Sequence, residues 1–364
     1  FKQTTAYEIR LSLVGSEMCI RDSSNGVGAG EVSGPSQVVT PQARKWHWAH
    51  PKFANNSNTP IGKASSGIFP VAKADSNKSL MVTWQSDAGV HGNFRNNSGS
   101  WASPVTEEKF QGAAIGSFGE YDTAMDIHGA FFAGVKYDEE VKKDILLFAS
   151  AKGPSFELSE FSKLSSTNAN ATTPQIITDG SGKIIVLWNE VLDGNRKKKI
   201  ATKSSTDEVW DVTTVNDSSD SGFVGYFESI AASENGSIIT AWQHGNGDGE
   251  DKTKILASYI PHGGGLENVV NTFISKPSGN AYYPEVKMDN DGNALVIWRF
   301  SDGKNYRIQA AYRSNSVDSK WSAPVDISAE GFDAVHTNGS QLGEKNGSSI
   351  AFDSNGNAQV VWTV

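Results

Sequence analysis

The chain has 364 residues, 37% of them hydrophobic and 20% charged, a balance that can fill a core and excludes an integral membrane protein. Its 41 acidic and 32 basic residues give a formal charge of -9, which argues against a nucleic-acid surface, since phosphate contacts need clustered Lys and Arg. A single cysteine excludes an internal disulfide framework, and 36 Gly, 12 Pro and 10 Trp describe a turn-rich, aromatic-rich chain without long helices.

In chain order, residues 1–23 (FKQTTAYEIRLSLVGSEMCIRDS) come first and share nothing with the rest of the chain. They resemble a peptide that recurs at the ends of unrelated proteins from shotgun assemblies, where adapter bases were translated in frame. That resemblance implies a foreign segment, against the plainer reading of a short helix or strand over Ala6 to Val14. Cys19, the only cysteine, would then not be native, and the lack of a secretion signal would carry no information. Residues 24–36 read as a flexible Gly/Ser linker, and 37–364 as one domain.

A repeat organises that domain. Asp75 and Trp84 stand nine residues apart, and the same offset links Asp179 to Trp188, Asp289 to Trp298 and Asp353 to Trp362. Asp126 to Val135 and Ser233 to Trp242 are degenerate copies. Successive anchors are separated by 51, 53, 54, 56 and 64 residues. A second marker, Trp-x-x-Pro, appears at Trp48, Trp101 and Trp321, with Trp210, Phe156 and Leu266 at the same phase.

The copy over residues 284–327 shows the expected strands. Strand A is Glu285 to Asp289, strand B Ala294 to Phe300, strand C Arg307 to Arg313 and strand D Lys320 to Ile327. Strand B is almost continuously apolar, as in Ile184 to Trp188, which implies burial on both faces and therefore sheets sandwiched between sheets. Between A and B, runs such as Asp289-Asn290-Asp291-Gly292-Asn293 predict tight turns in which the Asp carboxylate accepts turn amides and Gly supplies positive φ. A calcium loop is not expected there, because no bidentate Glu follows at position twelve.

Residues 36–364 resemble bacterial propeller repeats of the type Pro-x-Val-x-x-Asp-x-x-Gly-Asn-x-x-x-x-Trp. The resemblance implies an all-β fold: a six-bladed β-propeller of four-stranded antiparallel blades. The chain ends on an A and B pair, and it begins with C and D strands near Gln37 to Thr40 and Lys45 to Lys52. Joining the two would complete the last blade and hide two sheet edges.

In such propellers the A strands line the channel, and aromatic residues six positions before the turn residue, Phe69, Phe227 and Tyr283, are expected near its mouth with Tyr121, Tyr226 and Tyr282. Polar residues directly after the strand B anchors, Gln85, Lys136, Asn189, Gln243 and Arg299, would face the same loops. The expected ligand site is therefore Phe69, Gln85, Tyr121, Lys136, Tyr226, Phe227, Gln243, Tyr283 and Arg299. Asp122, Glu228 and Glu285 near the strand A starts are candidates for acid and base chemistry, although hydrogen-bonded structural acids are the plainer reading. Sialidases are the natural enzymatic comparison in architecture, but their Ser-x-Asp-x-Gly-x-x-Trp box spaces Gly and Trp by three, whereas Gly292 and Trp298 are six apart. The run Arg196 to Lys199 reads as a solvated hairpin edge, and Gly245 to Asp251 as an acidic loop. No metal, cofactor or phosphate-loop motif is legible.

The functional expectation is a monomeric propeller, secreted, periplasmic or surface-attached, that binds a glycan, peptide or protein partner without catalysis. A glycan-active enzyme, a sialidase-like glycoside hydrolase or a relative, is the alternative. No nucleic-acid partner and no membrane span are expected.

Overall fold

The structure is a computed structural model and describes residues 68–86, 89–98, 118–152, 157–216, 228–245, 253–262, 264–266, 269–301, 303–316, 319–331, 333–334, 349–353 and 355–362. All of them lie in one compact unit, Phe53–Val364. The segments read as foreign peptide, linker and closing strands lie outside the described residues.

The fold is all-β, and among the described residues it comprises six antiparallel sheets in chain order. The first holds β1 (Ile68–Ala74), β2 (Leu80–Ser86) and β3 (Gly89–Arg95). The second holds β4 (Glu120–Asp126), β5 (Gly129–Asp138), β6 (Lys143–Lys152), β7 (Glu157–Leu158) and β8 (Ser162–Lys163). The third holds β9 (Asn170–Thr178), β10 (Lys183–Leu192), β11 (Asn195–Ser204) and β12 (Asp211–Asn216). The fourth holds β13 (Ser229–Ala232), β14 (Ile238–His244), β15 (Lys254–Ile260) and β16 (Val270–Phe273). The fifth holds β17 (Asn280–Met288), β18 (Ala294–Ser301), β19 (Tyr306–Arg313) and β20 (Val325–Asp326), and the sixth β21 (Ile350–Phe352) and β22 (Ala358–Val360). The third, fourth and fifth sheets are four-stranded meanders.

The second to fifth sheets bury both faces against their neighbours, as the apolar B strands predict. Trp188 packs with Phe131, Val135 and Phe148 of the second sheet. Trp242 packs with Ile185 and Leu187 of the third, and Trp298 with Ile239 and Ala241 of the fourth. All three indoles are buried. The first strand of each sheet lies beside the first strand of the next, from β1 through β4, β9, β13 and β17 to β21.

The tight turns form as expected. Asp289 Oδ1 accepts the Asn293 amide at 2.8 Å and Asp179 Oδ1 the Lys183 amide at 3.0 Å, while Gly292 and Gly182 sit at φ 89° and 103°. In the degenerate fourth copy, with Ser233 in the Asp position, Asn235 Oδ1 takes the Ser237 amide at 2.9 Å instead. The Asn357 side chain, then the Asn357 and Asn355 amides, hold the exposed Asp353 carboxyl below its ordinary range. A depressed folded value contributes stability above the unfolded carboxyl pKa of about 3.9 and loses it as pH falls through the folded value. Asp353→Asn should therefore flatten the fall of the thermal midpoint between about pH 4 and pH 2; an acid limb identical to the parent's would contradict this role.

Two expectations are corrected. Strand A of the fifth sheet begins five residues earlier, at Asn280, and carries a bulge between Tyr282 and Glu285. Strand D is not continuous: Val325 and Asp326 pair with β19, whereas upstream only the Ser322 amide reaches Tyr312 O, at 2.8 Å. Pro324 lies between them and has no N–H to donate, so the ladder breaks there.

Candidate functional site

In four of the six copies a polar side chain four residues before the turn residue stitches one first strand to the next. Asp122 Oδ2 accepts the Ile176 amide at 3.0 Å, and Gln175 Nε2 donates to Glu228 O at 2.6 Å. Ser229 Oγ accepts the Val286 amide at 3.2 Å, and Glu285 Oε1 accepts those of Ser349 and Ile350 at 2.7 and 3.2 Å. Asp122 and Glu285, candidates for acid and base chemistry, thus hold buried amides of the neighbouring sheet. Removing such a partner leaves donors stranded. Glu285→Ala should cost about 1–3 kcal/mol in denaturant unfolding while Glu285→Gln, which keeps an oxygen, should cost less; equal losses would show that the amides do not depend on it.

The bulges shape the entry end of these strands. Thr173 in β9 and Tyr283 in β17 occupy the same repeat position and both take a left-handed backbone, at φ 51° and 55°. Bulges of this kind re-aim side chains beside functional sites. Glu120, the first residue of β4, is their counterpart in the second sheet and is exposed. Its Oε2 accepts the Thr173 amide.

Behind Thr173 lies a buried polar network. Asn189 Nδ2 donates to Thr173 Oγ1 at 2.6 Å and to Glu228 Oε1 at 3.3 Å. Lys198 Nζ donates to Asn189 Oδ1 at 2.9 Å, lies 3.5 Å from Glu228 Oε2 and stands 5.6 Å from the centre of the Trp242 ring. The Lys198 and Glu228 side chains are 0% and 2% exposed. Both depart from the repeat. Lys198 pairs across the ladder with Asn189, the residue after the Trp188 anchor. The corresponding partners of Lys136, Gln243 and Arg299 are Ile145, Ile255 and Ile308, all buried. Glu228 stands five residues before its turn residue, where three other copies carry Pro70, Pro174 and Pro284. The reading of Arg196 to Lys199 as a solvated edge is therefore wrong at Lys198, which the alternation of β11 turns inward beside Ile200.

A second cluster sits at the same end of the fifth sheet. The Arg299 guanidinium lies 4.5 Å from the ring centre of Tyr306, 4.7 Å from that of Tyr283 and 5.7 Å from that of Tyr282. Its Nε is buried without a hydrogen-bond partner. Burial, then the neighbouring Tyr306, pushes the Tyr282 phenol above its ordinary range, so it stays neutral.

Of the residues expected to form a ligand site, the structure brings Tyr283 and Arg299 together. Tyr121 stacks on Phe132 with centroids 5.7 Å apart, and burial raises its phenol pKa; it is a packing ring. Lys136 and Gln243 are half-buried opposite Ile145 and Ile255. Phe69 lies in β1, and Gln85 in β2 opposite Ile68. Tyr226 and Phe227 lie outside the described residues. Glu120, Thr173, Lys198 and Tyr306 are not among the expected residues; aligning the copies position by position flags the first three. Among the described residues no group of three His, Cys, Asp or Glu side chains could hold a metal ion, and no helix is long and apolar enough to cross a membrane.

No protein-family model and no curated protein matches the chain. Solved structures do. An α-L-arabinofuranosidase from Fusarium graminearum aligns at TM-score 0.46 with 14% identity over 73% of this chain and 84% of its own. A polysaccharide lyase aligns at 0.45 with 11% identity over 71% and 69%. The endo-arabinase of Bacteroides thetaiotaomicron aligns at 0.37 with 11% identity over 74% and 97%. The names of all three describe glycan-cleaving activities, which correspond to the alternative expectation and run against that of non-catalytic binding.

Proposed function

We propose that this chain is a glycan-active enzyme whose reacting groups sit where the first strands of the second to fifth sheets begin. The observation that carries the reading is the buried Lys198 and Glu228 pair, placed where three other copies carry Ile and three carry Pro. Burying two charges brings little net stability compared with apolar residues, so a repeat that keeps them in one copy retains them for a site. The exposed Glu120 carboxylate is the proton-transfer group, giving a proton to a glycosidic oxygen in hydrolysis or taking one from a sugar C–H in elimination. Thr173 fixes one of its oxygens, and Asn189, Lys198 and Glu228 are positioning residues that hold Thr173. We also infer that the six sheets are the blades of a six-bladed propeller; the side-by-side order of their first strands supports this.

The test is turnover of a panel of soluble polysaccharides: arabinan, xylan, galactans and uronate-containing polymers. New reducing ends score any cleavage, and ultraviolet absorbance of an unsaturated sugar separates elimination from hydrolysis. Cleavage of one polymer that is lost in Glu120→Gln supports the reading. No cleavage across the panel overturns it.

A further inference from the structure

Resting on that reading of the strand-A mouth, we infer that Arg299 and its three tyrosines form a subsite for an anionic sugar, a uronate or a sulfated residue. The Arg299 side chain forms no hydrogen bond and no ion pair with any described residue, and its Nε is buried without an acceptor. A guanidinium does not give up its proton, and a half-buried cation without a counter-ion is costly unless a ligand supplies the charge. Arg307 and Arg313 also bury an unpartnered Nε, but each has another polar contact: Arg307 lies 3.5 Å from Glu330, and Arg313 bonds Ser319 O.

The surroundings suit a sugar. The rings of Tyr283 and Tyr306 approach the guanidinium from 4.7 and 4.5 Å, and such rings stack on the apolar faces of pyranoses while their hydroxyls bond the rim. Tyr306 is 37% exposed and opens the cluster to solvent. The fork of Arg299 matches a carboxylate or a sulfate ester with two parallel hydrogen bonds. The residues after the anchors in the other copies are Gln85, Lys136, Asn189, Gln243 and Thr363, so this planar fork occurs in one copy of the repeat.

The experiment is calorimetric binding to the full chain of three sets of oligosaccharides: oligogalacturonates, sulfated galactan fragments and neutral arabino- and xylo-oligosaccharides. One anionic set should bind more tightly than the neutral sets. Arg299→Gln should weaken it roughly 10- to 100-fold and leave any neutral binding unchanged. Arg299→Lys, which keeps the charge and loses the fork, should recover only part and guards against a folding defect. Preference for oligogalacturonate identifies the carboxylate and preference for the galactan fragment the sulfate. Equal binding of anionic and neutral sets, or anionic binding indifferent to Arg299→Gln and Arg299→Lys, overturns the subsite. Binding is read without turnover: anionic binding with no cleavage overturns the enzyme reading alone, and cleavage of a neutral polymer without anionic preference overturns the subsite alone.

Discussion

Lys198→Ile is expected to destabilise the protein by about 3–5 kcal/mol, even though Ile is what three other sheets carry at that ladder position. The loss does not come from the lysine's own packing. It comes from Glu228, whose side chain is 2% exposed and would stay buried as an anion without its cation. Neutralising that partner should reverse the effect: Lys198→Ile with Glu228→Gln should return to within about 1 kcal/mol of the parent or exceed it. Denaturant unfolding of the two single variants and the double gives the coupling directly. If Lys198→Ile alone is as stable as the parent, the pair is not energetically joined. The double variant also separates stability from function, because it should fold well and yet cleave glycan more slowly.

Glu120→Gln should lower turnover by about two to four orders of magnitude, the usual worth of a positioned proton-transfer group, and leave the thermal midpoint unchanged. The amide oxygen of Gln can still accept the Thr173 N–H, so the local backbone is kept and only the proton is lost. The Michaelis constant should change little, since the carboxylate is assigned to the chemical step. Asp122→Asn is the companion measurement. Its Oδ2 is occupied by the Ile176 amide at 3.0 Å, so turnover should survive while stability falls. The opposite pattern, with Asp122→Asn inactive and Glu120→Gln fully active, would transfer the role to the acid expected from sequence.

Much of the architecture was open to reading from the chain alone. The spacing of Trp188, Trp242 and Trp298 marked buried B strands, and Asp179, Asp289 and Asp353 marked the turns, because both depend on residues a few positions apart in one hairpin. Tyr283 and Arg299 were legible for the same reason, each at a fixed offset from an anchor. What the repeat could not reveal was which copies use their positions for chemistry. Lys198 looked like one member of a solvated basic run because burial depends on strand phase and on the neighbouring sheet. Asp122 and Glu285 looked available because the amides they hold belong to residues 54 and 64 or 65 positions away. Local spacing, set by the two-residue period of a strand and the geometry of its turns, therefore determined the sheets and their cores. Which side chains meet across two sheets was decided only by tertiary register, because that contact joins residues a full repeat apart.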